Sequence, residues 1–173
     1  GRATVERATA YFFYYKDNAA CQILYELKYH HCPQIGVYMG KLVAAEMKDS
    51  GFFKQIDVLV PVPLAPVKRK KRGYNQCDKL AEGISFITSI PINTESLIRN
   101  VANPTQTKRR RMERWTNVQG VFSVVDTEQL SGKHILLIDD VVTTGATLIS
   151  CMEALSVVPD LTVSVLALAV ARE

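Results

Sequence analysis

The stretch that decides the fold runs from Ile135 to Thr147 and reads Ile-Leu-Leu-Ile-Asp-Asp-Val-Val-Thr-Thr-Gly-Ala-Thr. Its four leading aliphatic residues predict a strand that is buried on both faces. We expect a loop to follow, in which two carboxylates, three threonines and one glycine precede a helical pattern. Carboxylates accept hydrogen bonds from vicinal hydroxyl groups, and a hydroxyl-rich turn at a helix N-terminus presents backbone N–H groups to a phosphate. The pattern therefore indicates a phosphosugar site.

This run resembles the diphosphoribosyl-binding signature of type I phosphoribosyltransferases: four hydrophobic residues, two acidic, two hydrophobic, two Ser/Thr, glycine, a small residue and threonine. Every position matches. The resemblance implies that Asp139 and Asp140 hold the ribose hydroxyls. It also implies that the 5-phosphate is bound by Thr143, Thr144, Gly145, Ala146 and Thr147. The alternative is a strand that ends at a capped helix, but caps explain one or two polar residues and not an ordered set of six.

The alternation of strand and helix patterns predicts a single α/β domain over residues 1–173, with a central, mainly parallel sheet flanked by helices. Residues 1–50 are expected to form a small helical N-terminal part, and residues 51–173 the sheet core. Helices are predicted at 18–30, 35–48, 75–87 and 146–155, and strands at 57–62, 96–99, 120–125, from 134, and at 161–171. Residues 101–117 are polar and basic, and we expect a flexible loop or hood there.

Bulk composition excludes several classes of protein. With 47% hydrophobic and 22% charged residues, the chain has the composition of a soluble domain. No stretch approaches the roughly 18 apolar residues that a membrane span needs, and no apolar signal core is present, so a cytoplasmic location is expected. The chain begins at Gly1 rather than Met, and we therefore expect that an upstream segment is missing.

The cysteines and histidines do not have the spacing of metal ligands. No two cysteines form a C-x-x-C pair, so free thiols are expected, and His134 is expected to be a surface or hydrogen-bonded residue. The cysteines are Cys21, Cys32, Cys77 and Cys151.

The basic residues are concentrated in two short windows, Lys68–Arg72 and Lys108–Arg114. Together these windows hold 10 of the 21 lysines and arginines, although the net charge of the chain is only +4. Two loops of this kind would attract a polyanion into a cleft.

The segment from Pro61 to Gln76 reads Pro-Val-Pro-Leu-Ala-Pro-Val-Lys-Arg-Lys-Lys-Arg-Gly-Tyr-Asn-Gln. Three prolines stiffen the approach to the first basic run, which we expect to be a loop, and Asn75 could cap the helix that follows. Charge-assisted hydrogen bonds from such cations suit a pyrophosphate group. The residues that we expect to bind it are Lys68, Arg69, Arg72 and Gly73. The alternative is a solvated charge run, which is the ordinary explanation of five consecutive cations.

Pro-x-Pro, a basic stretch and then Arg-Gly-Tyr-Asn-Gln resemble the ComF-like competence proteins, a branch of phosphoribosyltransferase-like proteins that includes the GntX group. Leu27-Lys28-Tyr29 and Thr105-Gln106 are further family-like features. In type I enzymes a flexible loop closes over the substrates, and the resemblance gives that role to Arg109, Arg110 and Arg114. Full-length members commonly carry an N-terminal zinc ribbon with four cysteines. No such segment precedes Tyr11, so no zinc is expected in this chain.

Three functions remain open at this point. The first is a protein that binds phosphoribosyl diphosphate, or a nucleotide 5-phosphate, with Mg²⁺ and serves DNA uptake, with a competence helicase as a partner. The second is an active transferase that moves phosphoribose to an unidentified nitrogen acceptor and releases pyrophosphate. Magnesium would then bridge the ribose hydroxyls and the diphosphate, and the aspartates would accept hydrogen bonds rather than bind metal. The third is a factor that binds single-stranded DNA through the basic loops, with Tyr74 and Trp115 stacking on bases.

Overall fold

The computed structural model describes residues 5–15, 19–29, 32–100 and 120–171. The strands are β1 (Val5–Tyr14), β2 (Val58–Pro61), β3 (Leu97–Arg99), β4 (Phe122–Val124), β5 (His134–Val142) and β6 (Thr162–Ala171). The helices are α1 (Ala19–Tyr29), α2 (Pro33–Met47), α3 (Pro66–Arg72), α4 (Gln76–Thr88) and α5 (Ala146–Leu155). A short 3-10 turn, Lys48–Ser50, follows α2.

The central sheet has four strands in the order β1-β6-β5-β2, and every neighbouring pair is parallel. Parallel strands require helical crossovers that cover both faces, and β5 is accordingly buried along seven of its nine residues. Strands β3 and β4 form a separate antiparallel pair. The predicted α/β fold with a central parallel sheet flanked by helices is confirmed.

Two hydrophobic cores lie on opposite faces of the sheet, because successive side chains of a strand point to opposite sides. The first core receives Leu136 and Ile138 of β5 and packs them against α1, α2 and α4. The second receives Ile135 and Leu137 and packs them against α5, β3 and β4. The sheet is thus the middle layer of three.

The first basic run is a helix and not the predicted loop. Pro66 occupies the first turn of α3, where its fixed φ angle suits a helix and its missing N–H is not needed. The lysines and arginines that follow are good helix formers. Gly73 then ends the helix with φ +86°, and its N–H donates to the carbonyl of Arg69.

The N-terminal part, predicted as helical over residues 1–50, begins with a strand. Strand β1 pairs with β6 over most of its length. Every residue of β1 is half-buried or exposed, so neither face of the strand is fully buried. The sequence therefore lacks the alternation of apolar and polar residues that marks a strand with one buried face. The two helices predicted after it are present as α1 and α2.

Candidate ligand site

The two acidic residues of the signature lie inside β5 rather than in the loop that the sequence predicts. Asp139 is 6% exposed and Asp140 is 5% exposed. Because the two residues are neighbours in a strand, their side chains point to opposite faces of the sheet. They lie near its end, and one carboxylate oxygen of each lies within 4.8 Å of the other and of the Cys77 sulfur.

Asp139 lies beside the first turn of α4. Its Oδ1 accepts a hydrogen bond from the N–H of Asp140 at 2.8 Å and another from the thiol of Cys77 at 3.8 Å. Burial, together with the neighbouring Asp140 carboxylate, raises the pKa of Asp139 to about 7. Burial also raises the pKa of the Cys77 thiol well above its ordinary value, so Cys77 is a neutral donor to the carboxylate.

Asp140 points toward α1. Its Oδ1 accepts a hydrogen bond from the N–H of Val141 at 2.7 Å, and its Oδ2 lies 3.0 Å from Nζ of Lys28. This ion pair joins the last turn of α1 to the end of β5. A buried carboxylate needs such a cation, since an unpaired buried charge is costly.

The hydroxyl-bearing loop after β5 is open to solvent. Thr143, Thr144 and Thr147 are exposed, and Oγ1 of Thr144 accepts a hydrogen bond from the N–H of Ala146 at 3.4 Å. Gly145 has φ +77° at the start of α5, a backbone conformation that residues with a Cβ rarely adopt. The glycine of the signature is therefore explained by the turn, which presents the first turn of α5 to solvent.

The end of β5 is a topological switch point of the sheet. The crossover that leaves β2 contributes α4, whose Leu80 and Ile84 pack in the first core. The crossover that leaves β5 contributes α5, whose Leu155 packs in the second core. The two helices leave neighbouring strands toward opposite faces, and ligands of open α/β sheets bind outside the strand ends at such a point.

The turn between α3 and α4 is fastened to the same strand ends. The side-chain oxygen of Asn75 accepts from the N–H of Cys77 at 3.2 Å, which confirms the predicted helix cap, and its amide donates to the carbonyl of Val62 at 3.1 Å. The N–H of Val62 in turn donates to the carbonyl of Ile138 at 2.9 Å. The α4 N-terminus is thus tied to the residue that precedes Asp139.

The residues predicted to bind pyrophosphate lie on α3 and at its C-terminal end. Arg69 forms an ion pair with Asp78 at 3.8 Å, and Arg72 donates to the side chain of Gln76. Both guanidinium groups therefore lie beside the first turn of α4, which also carries Cys77 against Asp139. Lys68 is exposed and, within the described residues, has no ion-pair partner. Arg109, Arg110 and Arg114, together with Trp115, lie outside the described residues.

Three further sequence predictions concern individual side chains. None of the four cysteines, all of which lie in the described residues, forms a disulfide, as expected. His134 is 8% exposed, and its ring lies 2.9 Å from the hydroxyl of Ser164, so it is a hydrogen-bonded residue, as predicted. Tyr74, which the sequence predicts to stack on a base, is half-buried in the turn between α3 and α4. Its hydroxyl donates to the carbonyl of Leu27 at 2.6 Å, and its ring packs against the first core.

Sequence reasoning missed Lys28 and Cys77 as members of the site. Lys28 belongs to a family-like tripeptide, but the sequence offers no link between α1 and β5. Cys77 follows the Arg-Gly-Tyr-Asn-Gln motif directly, and this position at the start of a predicted helix is the one signal that placed it near the site.

Most of the chain matches a known protein family. Residues 32–159, from the start of α2 to the turn before β6, match the profile of the phosphoribosyl transferase domain. The chain belongs to the phosphoribosyl transferase domain family.

Curated relatives support the ComF-like assignment made from the sequence. The chain is 32% identical over 109 residues to "Competence protein F" of Haemophilus influenzae, covering 62% of this chain and 47% of the relative. It is 40% identical over 93 residues to "Competence protein ComFC" of Bacillus subtilis, covering 53% and 35%. It is 28% identical over 128 residues to "DNA utilization protein YhgH" of Escherichia coli K12, covering 72% and 56%. The chain thus spans about half the length of the curated relatives it matches, or less.

Solved structures support the fold. The chain is similar to the glutamine phosphoribosylpyrophosphate amidotransferase of B. subtilis complexed with ADP and GMP, with a TM-score of 0.52 and 22% identity. That match covers 79% of this chain and 26% of the amidotransferase chain. A second match, to an allosteric regulatory enzyme of purine biosynthesis, has a TM-score of 0.50 and 21% identity over 77% of this chain and 26% of the other. Among the described residues, no helix combines the length and the hydropathy needed to cross a membrane.

Proposed function

We propose that this protein binds phosphoribosyl diphosphate, or a nucleotide 5-phosphate, together with Mg²⁺, and that it serves DNA uptake in natural competence. The observation that supports the proposal most strongly is the continuity of the site. Two carboxylates at the end of β5 and a hydroxyl-bearing loop at the start of α5 lie on one uninterrupted segment. That segment lies at the switch point of the sheet, where ligands of such folds bind.

The two halves of the segment suit the two ends of a phosphorylated pentose. Asp139 and Asp140 are acceptors for the hydroxyls of the ring, with Cys77 keeping Asp139 in place. The exposed threonines and the N-terminus of α5 offer hydroxyl groups, N–H groups and the positive end of a helix dipole to the 5-phosphate. Arg69 and Arg72 would bind the diphosphate in this arrangement.

The donor set at the aspartates suits magnesium that arrives on the ligand. Carboxylate oxygens are hard ligands that Mg²⁺ accepts, whereas the neutral, buried thiol of Cys77 is not. Lys28 already neutralises Asp140. We therefore assign the metal to the ribose hydroxyls and the diphosphate, where it would offset the negative charge of the leaving group.

The role in DNA uptake is supported by the names of the relatives, two of which are competence proteins and one a DNA utilization protein. A helicase partner belongs to the same proposal. It would be tested by co-purification of the helicase from competent cells, with the single variants Asp139→Asn and Lys70→Gln separating a role of the sugar site from a role of α3.

Calorimetric titration with phosphoribosyl diphosphate and Mg²⁺ tests the binding proposal. We expect saturable binding that weakens by at least about tenfold in Asp139→Asn and in Asp140→Asn, since each loses a charged acceptor worth about 1.5–3 kcal/mol. Asp160→Asn is the matched control, because Asp160 is exposed and its φ of 52° suits asparagine equally well. Unchanged binding in both site variants would show that the ligand binds elsewhere.

Binding and transfer are separated by the release of pyrophosphate. If the protein is an active transferase, incubation with phosphoribosyl diphosphate, Mg²⁺ and a panel of nitrogen acceptors releases pyrophosphate faster with one acceptor than without any. Asp139→Asn abolishes this release. Binding without acceptor-dependent release identifies a ligand-binding protein that does not turn over.

One observation favours a second function, the binding of single-stranded DNA. Helix α3 has no buried residue, and its five cations face solvent or the α4 N-terminus. Within the described part of the chain, Lys68, Lys70 and Lys71 have no ion-pair partner. Cations that are not held by carboxylates are free to bind phosphates along a DNA strand, with the steep salt dependence of such binding.

An electrophoretic shift with single-stranded DNA tests this function. The triple variant Lys68→Gln, Lys70→Gln, Lys71→Gln should weaken binding and lower the dependence of the affinity on salt by about three counterions. Lys48→Gln, Lys54→Gln, Lys133→Gln is the control, because it removes the same charge from exposed positions elsewhere. An equal loss in both triple variants would indicate nonspecific attraction and not a surface on α3.

A further inference from the structure

Lys28 lies against the carboxylate that the proposed ligand requires. Its Nζ is 3.0 Å from Oδ2 of Asp140, and the side chains are 22% and 7% exposed respectively. The lysine is therefore the member of the pair that reaches solvent, and Asp140 lies beneath it. A sugar hydroxyl that approaches Oδ2 from solvent meets the ammonium group first.

Oδ2 of Asp140 is also an unsatisfied acceptor. It is buried and accepts no hydrogen bond of good geometry, although it lies in the ion pair with Lys28. Buried carboxylate oxygens are nearly always hydrogen-bonded, so an atom of this kind calls for an explanation. The Lys28 ammonium in its present position does not donate a hydrogen bond of good geometry to this oxygen. A ligand hydroxyl could donate one.

The position of Lys28 is fixed by the residue before it. Leu27 is fully buried in the first core, and its carbonyl accepts the hydroxyl of Tyr74 at 2.6 Å. Tyr74 lies in the turn between α3 and α4, next to Asn75, which is tied to the strand ends. The last turn of α1 is thus anchored beside the site, and Lys28 is within reach of Asp140 as a consequence of the fold.

We propose that Lys28 competes with the ligand for Asp140: its ammonium group occupies the place of a ribose hydroxyl and must leave before Asp140 can accept one. The proposal rests on the proposed function and adds a specificity-determining residue to it. A phosphorylated ligand offers the released ammonium a new anionic partner, whereas a neutral sugar does not. Lys28 therefore selects against unphosphorylated ribose.

The test compares Lys28→Met, which keeps the length of the side chain and removes the charge, with Lys28→Arg, which keeps the charge. The probes are ribose 5-phosphate with Mg²⁺ and ribose alone, titrated calorimetrically at about pH 8. We expect Lys28→Met to bind ribose about tenfold more tightly than wild type does. Its affinity for ribose 5-phosphate should increase by a smaller factor. Lys28→Arg should resemble wild type.

Lys79→Met is the matched control, since Lys79 forms an exposed ion pair with Glu82 at 2.6 Å. It should leave both affinities unchanged. If wild type binds ribose 5-phosphate and Lys28→Met binds both probes with unchanged or lower affinity, Lys28 is not a competitor and the proposal is wrong, while the proposed function stands. If neither protein binds either probe, the competition is wrong, and the titration with phosphoribosyl diphosphate decides separately whether the proposed function is wrong as well.

A second measurement needs no ligand. The rate at which the Lys28 amine is acetylated, followed by mass spectrometry, should increase severalfold in Asp140→Asn relative to wild type, because the ion pair that protects it is lost. Labelling of Lys79 in the same samples is the internal reference. An unchanged rate at Lys28 would show that the ammonium does not occupy Asp140 in solution, and would overturn the proposal independently of any binding result.

Discussion

Asp139 and Asp140 are adjacent in the sequence but occupy different environments, because β5 directs them to opposite faces. Asp139 has a neutral thiol as its neighbour, and Asp140 has an ammonium group. The cation stabilises the charge on Asp140, and that charge in turn disfavours ionisation of Asp139. Burial, together with the Asp140 carboxylate, therefore raises the pKa of Asp139 to about 7.

The protonation of Asp139 predicts how stability depends on pH. Its pKa rises from 3.8 in the unfolded chain to about 7 in the folded protein, so the folded protein binds the proton more tightly. The contribution is fully present below about pH 4 and is lost as the pH rises through about 7. In urea denaturation, the stability of wild type relative to Asp139→Asn should therefore decrease across this window. Asp160→Asn should follow wild type, and a constant difference between wild type and Asp139→Asn would contradict the shift.

For single residues, the sequence predicts which side chains belong to the candidate site better than it predicts what surrounds them in the fold. The signature singles out the carboxylates, the threonines and Gly145 as site residues, because each belongs to one local pattern. It did not predict that both carboxylates are nearly sealed from solvent, nor that Lys28 covers one of them. Asp139 is covered by Cys77 of α4, 62 residues away in the sequence, and Asp140 by Lys28 of α1, more than a hundred residues away. No local pattern encodes those contacts.

Among the elements, α2 and α4 approach each other unusually closely. Gly40 of α2 and Gly83 of α4 face one another, and a Cβ built on Gly40 would lie 3.0 Å from the Cα of Gly83. A Cβ on Gly83 would overlap the carbonyl oxygen of Val37 and lie 2.7 Å from the backbone nitrogen of Lys41. The two helices therefore pack backbone against backbone, which fixes α4 and with it the turn that carries Asn75.

Replacing Gly83 with alanine should destabilise the protein by about 2–3 kcal/mol. Alanine favours helices, but here the added methyl group must push two backbones apart. Urea denaturation followed by circular dichroism measures the effect. Gly120→Ala is the control, since a Cβ there lies 3.5 Å from its nearest neighbour, an ordinary contact. A neutral or stabilising effect of Gly83→Ala would mean that the helices are farther apart than described.

Elements with a clear period or cap were predicted from the sequence. The helix at 75–87 and the strand from 134 match α4 and β5 within a residue or two at their starts. Helix α3 was missed because five cations in a row suggest a solvated loop, and the helical information lies in Pro66 and Gly73 at its ends. Strand β1 was missed because its identity depends on pairing with β6, a partner more than 150 residues away.

At the scale of the whole molecule, Arg7 joins β1 to the turn that precedes β2. Its guanidinium group donates to the carbonyls of Gly51, Phe52 and Lys54 at 2.7–3.2 Å. It also lies 3.4 Å from Nδ1 of His134 at the start of β5. One side chain thus links three separate parts of the chain at the end of the sheet opposite the candidate site.

Replacing Arg7 with methionine should lower the free energy of unfolding by about 2–3 kcal/mol, because three carbonyls lose a charged donor. Thermal or urea denaturation measures the loss. Glu6→Gln is the control in the same strand, as Glu6 is half exposed and its ion pair with Arg7 is long, at 3.6 Å. A loss in Glu6→Gln as large as in Arg7→Met would indicate that the ion pair, and not the carbonyl contacts, holds β1.

The parallel sheet itself was predictable, but its strand order was not. Alternating patterns of helix and strand imply crossovers and therefore parallel strands. They do not say that β1 joins the far side of β6, because that choice is made by packing of α1 and α2 on one face. The sequence predicts a site at the carboxyl ends of the strands from the parallel sheet alone, since those ends meet at one edge.

The pairing of β1 with β6 has a consequence for biosynthesis. Among the described strands of the central sheet, β1 is synthesised before the others and β6 after them, so the sheet cannot be completed until β6 has been made. Until then β1 is an unpaired strand with exposed aromatic residues, a state that favours association with other chains. Nascent chains that stall before Thr162 should therefore depend on chaperones, whereas chains in which β6 has been made can complete the sheet.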